Sequence, residues 1–239
     1  MKCKGCGQEN KLIKAHAIPK AFFVGLRDGR KAPKLITDTA GIFPQRSHIG
    51  VYDEGILCRE CEDRFQEVDN YGQLLLLKEE NEHIELIKNG TIIGWTIKEY
   101  NYDLLKRFFV SILWRAAIST HDFYSRVTLG PFEEEAKKLI WEESPGDPSQ
   151  FSFVLAKFID DEIGRTIMDP HRERWYGVNY YRFYLYGYVL YIKVDSRKTP
   201  AEFRRISAND GMILYIIGRD IFKSKEYPVL VNVAKQSKK

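Results

Sequence analysis

The chain has 239 residues, 44% of them hydrophobic and 13% aromatic, enough to bury one large core or two small ones. Charged residues make up 29% in mixed signs, and the net charge of +4 is too small to define a nucleic-acid binder by itself. No apolar run reaches the ~18 residues of a membrane span. The start, MKCKGC, has no apolar leader run. The expected location is the cytoplasm, where reduced cysteines bind metal rather than one another.

In chain order, the first feature is a Cys-x-x-Cys pair, Cys3 and Cys6, with Gly5 and Gly7 supplying tight turns. LIKAHAIPKAF follows. Pro19 disfavours helical geometry at Ile18, so the stretch from Ala15 to Pro19 reads as strand-like, with His16 on it. Residues 25–50 are rich in Gly, Pro, Lys and Arg and read as a basic loop with short strands. A second pair, Cys58 and Cys61, lies in GILCRECEDRF, where a helix is expected to begin. On that helix Cys61, Phe65 and Val68 share one face, and Glu62, Gln66 and Asp69 share the neighbouring stripe. These four cysteines are the only ones in the chain. Two pairs of two-residue spacing form the knuckles of a tetrahedral site, and the expected cofactor is one structural zinc ion on Cys3, Cys6, Cys58 and Cys61.

Asn89-Gly90 between two β-rich runs predicts a hairpin. A helix is expected over 102–119, largely buried, with Asp103, Arg107, Ser111, Arg115 and Ser119 repeating every four residues as a wet or ligand-facing seam. PFEEEAKKLIWEE predicts a second helix with acids in its first turn, and SPGDPSQ (144–150) a loop. Four β-rich runs follow: FSFVLAKFID, YYRFYLYGYVLYIKVD, GMILYIIG and YPVLVNVA. The second holds seven aromatics between Tyr180 and Tyr191. These could stack nucleic-acid bases, but alternating aromatics in a strand read first as core. The predicted fold class is α+β, with a zinc module over 1–72 and a mixed α+β domain over 73–239.

Charge is unevenly spread. Residues 1–52 hold ten Lys and Arg against three acids, and residues 53–69 hold seven acids against two Arg. Such a pairing suits a phosphate on one side and a divalent cation on the other; it equally describes two solvated surfaces of opposite sign. Lys14, Lys20, Arg27, Arg30 and Lys31 are the candidate phosphate contacts.

A histidine before Ile-Pro on an extended segment, bracketed by two knuckles and followed by a helix from the second knuckle, resembles the HNH, or ββα-metal, nucleases over about residues 1–72. In that family a hairpin histidine deprotonates the attacking water, and the facing helix holds one divalent cation at the scissile phosphate. The resemblance implies His16 as the catalytic base. It implies Glu62, directly after Cys61, as a ligand of a catalytic Mg²⁺ or Mn²⁺ ion, with Asp53 as the nearest match to the family's middle asparagine. The sequence departs from the pattern at Ala15, where many members carry a ligand, and at Glu62, where they carry Asn or His. More loosely, KLIKAHAIPKAF, ILCRECEDRF, ILWRAAIS and VTLGPFEEE look like a group of uncharacterised bacterial HNH-type proteins associated with phage defence. The implied activity is metal-dependent hydrolysis of DNA. The alternatives are a catalytically degenerate zinc-stabilised module that binds nucleic acid or protein, and a nuclease triggered by a protein partner or signal at residues 73–239.

Overall fold

The structure is a computed structural model, and it describes residues 1–24, 34–37, 45–47, 49–160 and 167–236. After the first cysteine turn come β1 (Leu12–His16), a single helical turn α1 (Ala21–Val24), and two short strands, β2 (Lys34–Ile36) and β3 (Gln45–Arg46). Then β4 (Tyr52–Cys58) runs antiparallel to β1, pairing His16 with Tyr52, Ala15 with Asp53 and Leu12 with Cys58. Two helical pieces follow, α2 (Arg59–Asp63) and α3 (Gln66–Gln73), and a π-helical turn, Leu74–Lys78, ends this part.

The larger part is built on a seven-stranded sheet. A hairpin of β5 (Ile84–Lys88) and β6 (Thr91–Ile97) turns at Asn89-Gly90, both left-handed at φ 51° and 74°, as a two-residue hairpin loop requires. Next are α4 (Tyr102–Ile118) and α5 (Phe132–Trp141), then β7 (Phe153–Phe158), β8 (Ile167–Met168), β9 (His171–Trp175), β10 (Val178–Leu185), β11 (Tyr188–Lys193) and, later, β12 (Leu214–Arg219). The order across the sheet is β5-β6-β12-β7-β11-β10-β9, antiparallel except where β12 lies parallel to β7. The aromatic run of 180–191 is two strands turning at Tyr186-Gly187, again with both residues at positive φ. Its Tyr180, Tyr181, Tyr184 and Tyr188 are buried and serve the core rather than stacking bases. The overall class is therefore mixed α and β, as the sequence predicts. No helix among the described residues is long and apolar enough to cross a membrane.

Residues 226–236 correct the sequence reading. YPVLVNVA is expected as a strand from its β-branched run, but it belongs to the C-terminal helix Glu226–Gln236. Pro228 sits in the first turn, where backbone N–H groups have no helical partner anyway. Val229, Leu230 and Val233 then face the sheet on one side of the helix.

Helix α4 is central to the packing. It is almost wholly buried, and its Phe108, Phe109, Ile112 and Leu113 share one apolar cluster with Ile18, Phe22, Leu57, Phe65 and Val68 from the first part and with Phe153, Leu155 and Leu190 from the sheet. The break read at 72 falls in the last turn of α3, and the apolar core runs across it. There Gly72 lets α3 approach α4 closely: a methyl group at Gly72 would lie 2.4 Å from the Phe108 ring. A second cluster, with Val154, Phe158, Tyr180, Tyr184 and Val189, fills the opposite face of the sheet. Strands β7, β10 and β11 are thus buried on both faces, which explains why they read as unbroken apolar runs.

Candidate functional site

The first turn folds back on itself through Cys3 N–H to Gln8 O and Gly7 N–H to Cys3 O, and Lys4 N–H ties it to Ile56 O on β4. Cys58 ends β4 and precedes α2, which carries Cys61. The four sulfurs therefore meet, all within 4.8 Å of one another, and the Cys6 and Cys58 Sγ atoms are 4.0 Å apart. Zinc bonds of ~2.3 Å in a tetrahedron set sulfurs about 3.8 Å apart, so this cluster can hold a metal ion such as zinc. Gly5 makes room for it, since a Cβ there would lie 2.7 Å from the Cys61 Sγ. Cys58 N–H donates to the Cys3 Sγ at 3.3 Å. Burial opposes the Cys3 thiolate, but backbone hydrogen bonds from Cys58, Cys6 and Gly5 more than offset it and bring the thiol down to about 7. Burial pushes the Cys61 thiol up.

The same β1–β4–α2 arrangement brings His16 beside Glu62, with the His16 backbone nitrogen 3.5 Å from Glu62 Oε1. The imidazole Nε2 lies 3.0 Å from Ile49 O. A carbonyl only accepts, so Nε2 carries the hydrogen and the lone pair of the neutral ring is on Nδ1. Burial lowers the His16 pKa below the usual histidine value, and the charges of Arg115, Lys20 and Lys14 act in the same direction. The second carboxylate oxygen of Glu62, Oε2, is buried with no hydrogen-bond partner among the described residues. Burial raises the Glu62 pKa; Arg115 opposes the rise and Asp69 adds to it.

Asp69 and Arg115 complete the cluster. The Arg115 guanidinium donates to both Asp69 carboxylate oxygens, at 2.6 and 2.9 Å, and is fully buried. With Asp69 and Glu62 against one arginine and a neutral histidine, the cluster holds one excess negative charge when both acids are ionised.

Asp53 is differently placed. Its Oδ2 accepts from Ser119 Oγ (3.1 Å), Thr120 N–H (2.6 Å) and Thr120 Oγ1 (2.8 Å), and its Oδ1 accepts from Gly55 N–H (2.8 Å). Burial works against this carboxylate, but those four donors hold its pKa below the usual range. It clasps β4 to the end of α4. Lys14 is exposed on β1, 3.4 Å from Glu54 and 4.7 Å above the Tyr52 ring, and Lys20 is exposed just before α1. Arg27, Arg30, Lys31 and His48 lie outside the described residues. Arg107 pairs with Glu67 and Glu143. The seam of α4 read as ligand-facing is instead turned inward at Ser111 and Arg115, so sequence reasoning missed Arg115 as a part of the site's own frame. Its recurrence in register with Ser111 and Ser119 is the signal that marks it. Two cavities, of about 430 and 450 Å³, are lined from β9 and the C-terminal helix and from the start of α5, and contain none of the residues singled out as site residues.

No protein family, no curated protein and no solved structure matches this chain.

Proposed function

We propose that the chain is a metal-dependent nuclease of the HNH type, with a structural zinc ion on Cys3, Cys6, Cys58 and Cys61 and DNA as substrate. The observation that carries this reading is the pairing of a neutral histidine, whose lone pair lies on Nδ1, with a buried glutamate oxygen that has no partner among the described residues. An antiparallel strand pair followed by helix, tied by the cysteine cluster, is consistent with a ββα-metal module. In this reading His16 Nδ1 accepts a proton from water as the water oxygen attacks phosphorus and the bond to the leaving oxygen breaks; solvent protonates the leaving group. Ile49 O fixes the ring tautomer, and the lowered pKa keeps the base deprotonated at neutral pH. A bound Mg²⁺ or Mn²⁺ would supply charge stabilisation at the phosphate and the leaving oxygen. Glu62 offers that ion one carboxylate oxygen, Oε2, without a partner among the described residues, which suits Mg²⁺ or Mn²⁺ held mainly by water and substrate oxygens. Lys14 and Lys20 are exposed on the same part of the chain and are the proposed phosphate contacts. Antiviral defence belongs to this proposal as its biological setting.

A second reading rests on the acids themselves. Asp53 and Asp69 are both engaged, and Ala15 precedes His16, so of the carboxylates Asp53, Glu62 and Asp69 only Glu62 keeps an oxygen without a partner among the described residues. This favours a catalytically silent module that binds DNA or a protein partner. Nicking of supercoiled plasmid by zinc-loaded protein in Mn²⁺ separates the two: the nuclease reading expects cleavage that His16→Ala lowers by about 10²-fold or more, and the binding reading expects retention of DNA without cleavage.

A further inference from the structure

Arg115 stands on α4, outside residues 1–72 that resemble the ββα-metal module, yet it touches the elements that frame the site. A guanidinium has five N–H groups, and all five have acceptors here. Nη1 donates to His16 O and Asp69 Oδ2, both at 2.9 Å; Nη2 donates to Asp69 Oδ1 at 2.6 Å and Ser111 Oγ at 3.0 Å; Nε donates to Ser111 O at 3.3 Å. Its plane lies over the Phe65 ring, 4.4 Å from the centroid. Nothing is left over for a phosphate, so this arginine does not bind substrate.

What it holds is the backbone of His16. The carbonyl of that residue is gripped by Arg115, and its amide faces Glu62 Oε1. The end of the same helix holds the opposite strand, where Ser119 and Thr120 donate to Asp53, the register partner of Ala15. Two strands meet at the base, and α4 grips both of them within one residue of it. A lysine could not substitute, because a point charge on a flexible stem cannot present a planar fork to Asp69 and a third donor to a carbonyl at once.

We propose that Arg115 is the positioning residue of this site: it fixes the strand that carries His16 relative to Glu62, so the region after residue 72 sets the geometry of the base through α4. This rests on the nuclease reading above. The test is Arg115→Lys in the full zinc-loaded chain, read by Mn²⁺-dependent plasmid cleavage and by the ring resonances of isotopically labelled histidine. The expected result is a kcat lower by about ten- to a hundredfold at unchanged KM, the scale of a misplaced catalytic group. The His16 resonance should move while those of His83, His121 and His171 stay. The double variant with His16→Ala should be no slower than His16→Ala alone, because the two residues act as one unit. A folded Arg115→Lys protein with wild-type kcat, or effects of the two substitutions that multiply, overturns the proposal. Should the wild type itself not cleave, the nuclease reading fails, and the His16 resonance then decides the positioning role: movement supports it, no movement overturns it. If Arg115→Lys does not fold, Ser111→Ala removes one Arg115 acceptor, Oγ, together with its local bond to Phe108 O; a several-fold loss of kcat is expected, and an unchanged value overturns the proposal.

Discussion

Two buried arginine–carboxylate networks among the described residues treat their glutamates in opposite ways. Glu226, 1% exposed at the start of the C-terminal helix, accepts from Tyr184 Oη at 2.8 Å and from Arg219 at 2.9 and 3.1 Å, with Arg182 3.2 Å away. Burial works against its charge, but Arg219 and then Arg182 more than offset this and hold its pKa at about 2. Glu62 has one long contact and one oxygen with none, and burial raises its pKa. A glutamate with both oxygens satisfied fastens an element to the fold. An under-satisfied one costs stability, and persists where a ligand or a reaction uses it. On the proposed reading, the difference separates a structural anchor from a site between two residues of the same type.

The largest effect expected is on the cysteine cluster beside Glu62. Elemental analysis should find one zinc per chain, and Cys58→Ser or chelation should lower the melting temperature more than any other single change, since metal binding and folding of so small a module are one process. A zinc-free protein, or unchanged melting, would break the scheme. Next is Glu226→Ala, which strands Arg219 and leaves Arg182 to Glu173 alone, and should cost about 3–5 kcal/mol in urea unfolding. Because the folded pKa of Glu226 is depressed, its contribution is present above the unfolded carboxylate value and is lost as pH falls toward about 2. Glu62 should do the reverse. Its folded pKa is raised, so ionisation opposes folding once the pH rises above the unfolded value. Glu62→Gln should therefore raise the stability of the cation-free protein at neutral pH by about 1 kcal/mol, the order of an unsatisfied buried group. A loss of stability there would erase the contrast with Glu226. The smallest effect belongs to the exposed pair Lys14–Glu54: Lys14→Ala should leave unfolding within about 0.5 kcal/mol of wild type.

Much of this was legible from local pattern. The cysteine spacing announced the cluster, Asn89-Gly90 announced its hairpin, and the buried periodicity of 102–119 gave α4 nearly to the residue. What failed to show were choices made by distant partners. Asp53, Glu62 and Asp69 look alike in sequence; whether each is spent or open depends on Ser119, Thr120 and Arg115, 46 to 67 positions away. The seam of α4 looked wet because its residues are polar, yet it turns inward, where Arg115 finds five acceptors. The C-terminal helix was hidden because β-branched residues serve a helix equally well once one face is covered by a sheet.

The most direct test of the claim that the open Glu62 oxygen marks a working site is plasmid nicking by zinc-loaded wild type, Glu62→Gln and His16→Ala in the presence of Mn²⁺. The account predicts cleavage by the wild type, a loss of about 10²-fold or more in each variant, and partial recovery of Glu62→Gln, but not of His16→Ala, at excess Mn²⁺. Cleavage unchanged in Glu62→Gln, or none by the wild type with zinc fully bound, would contradict it.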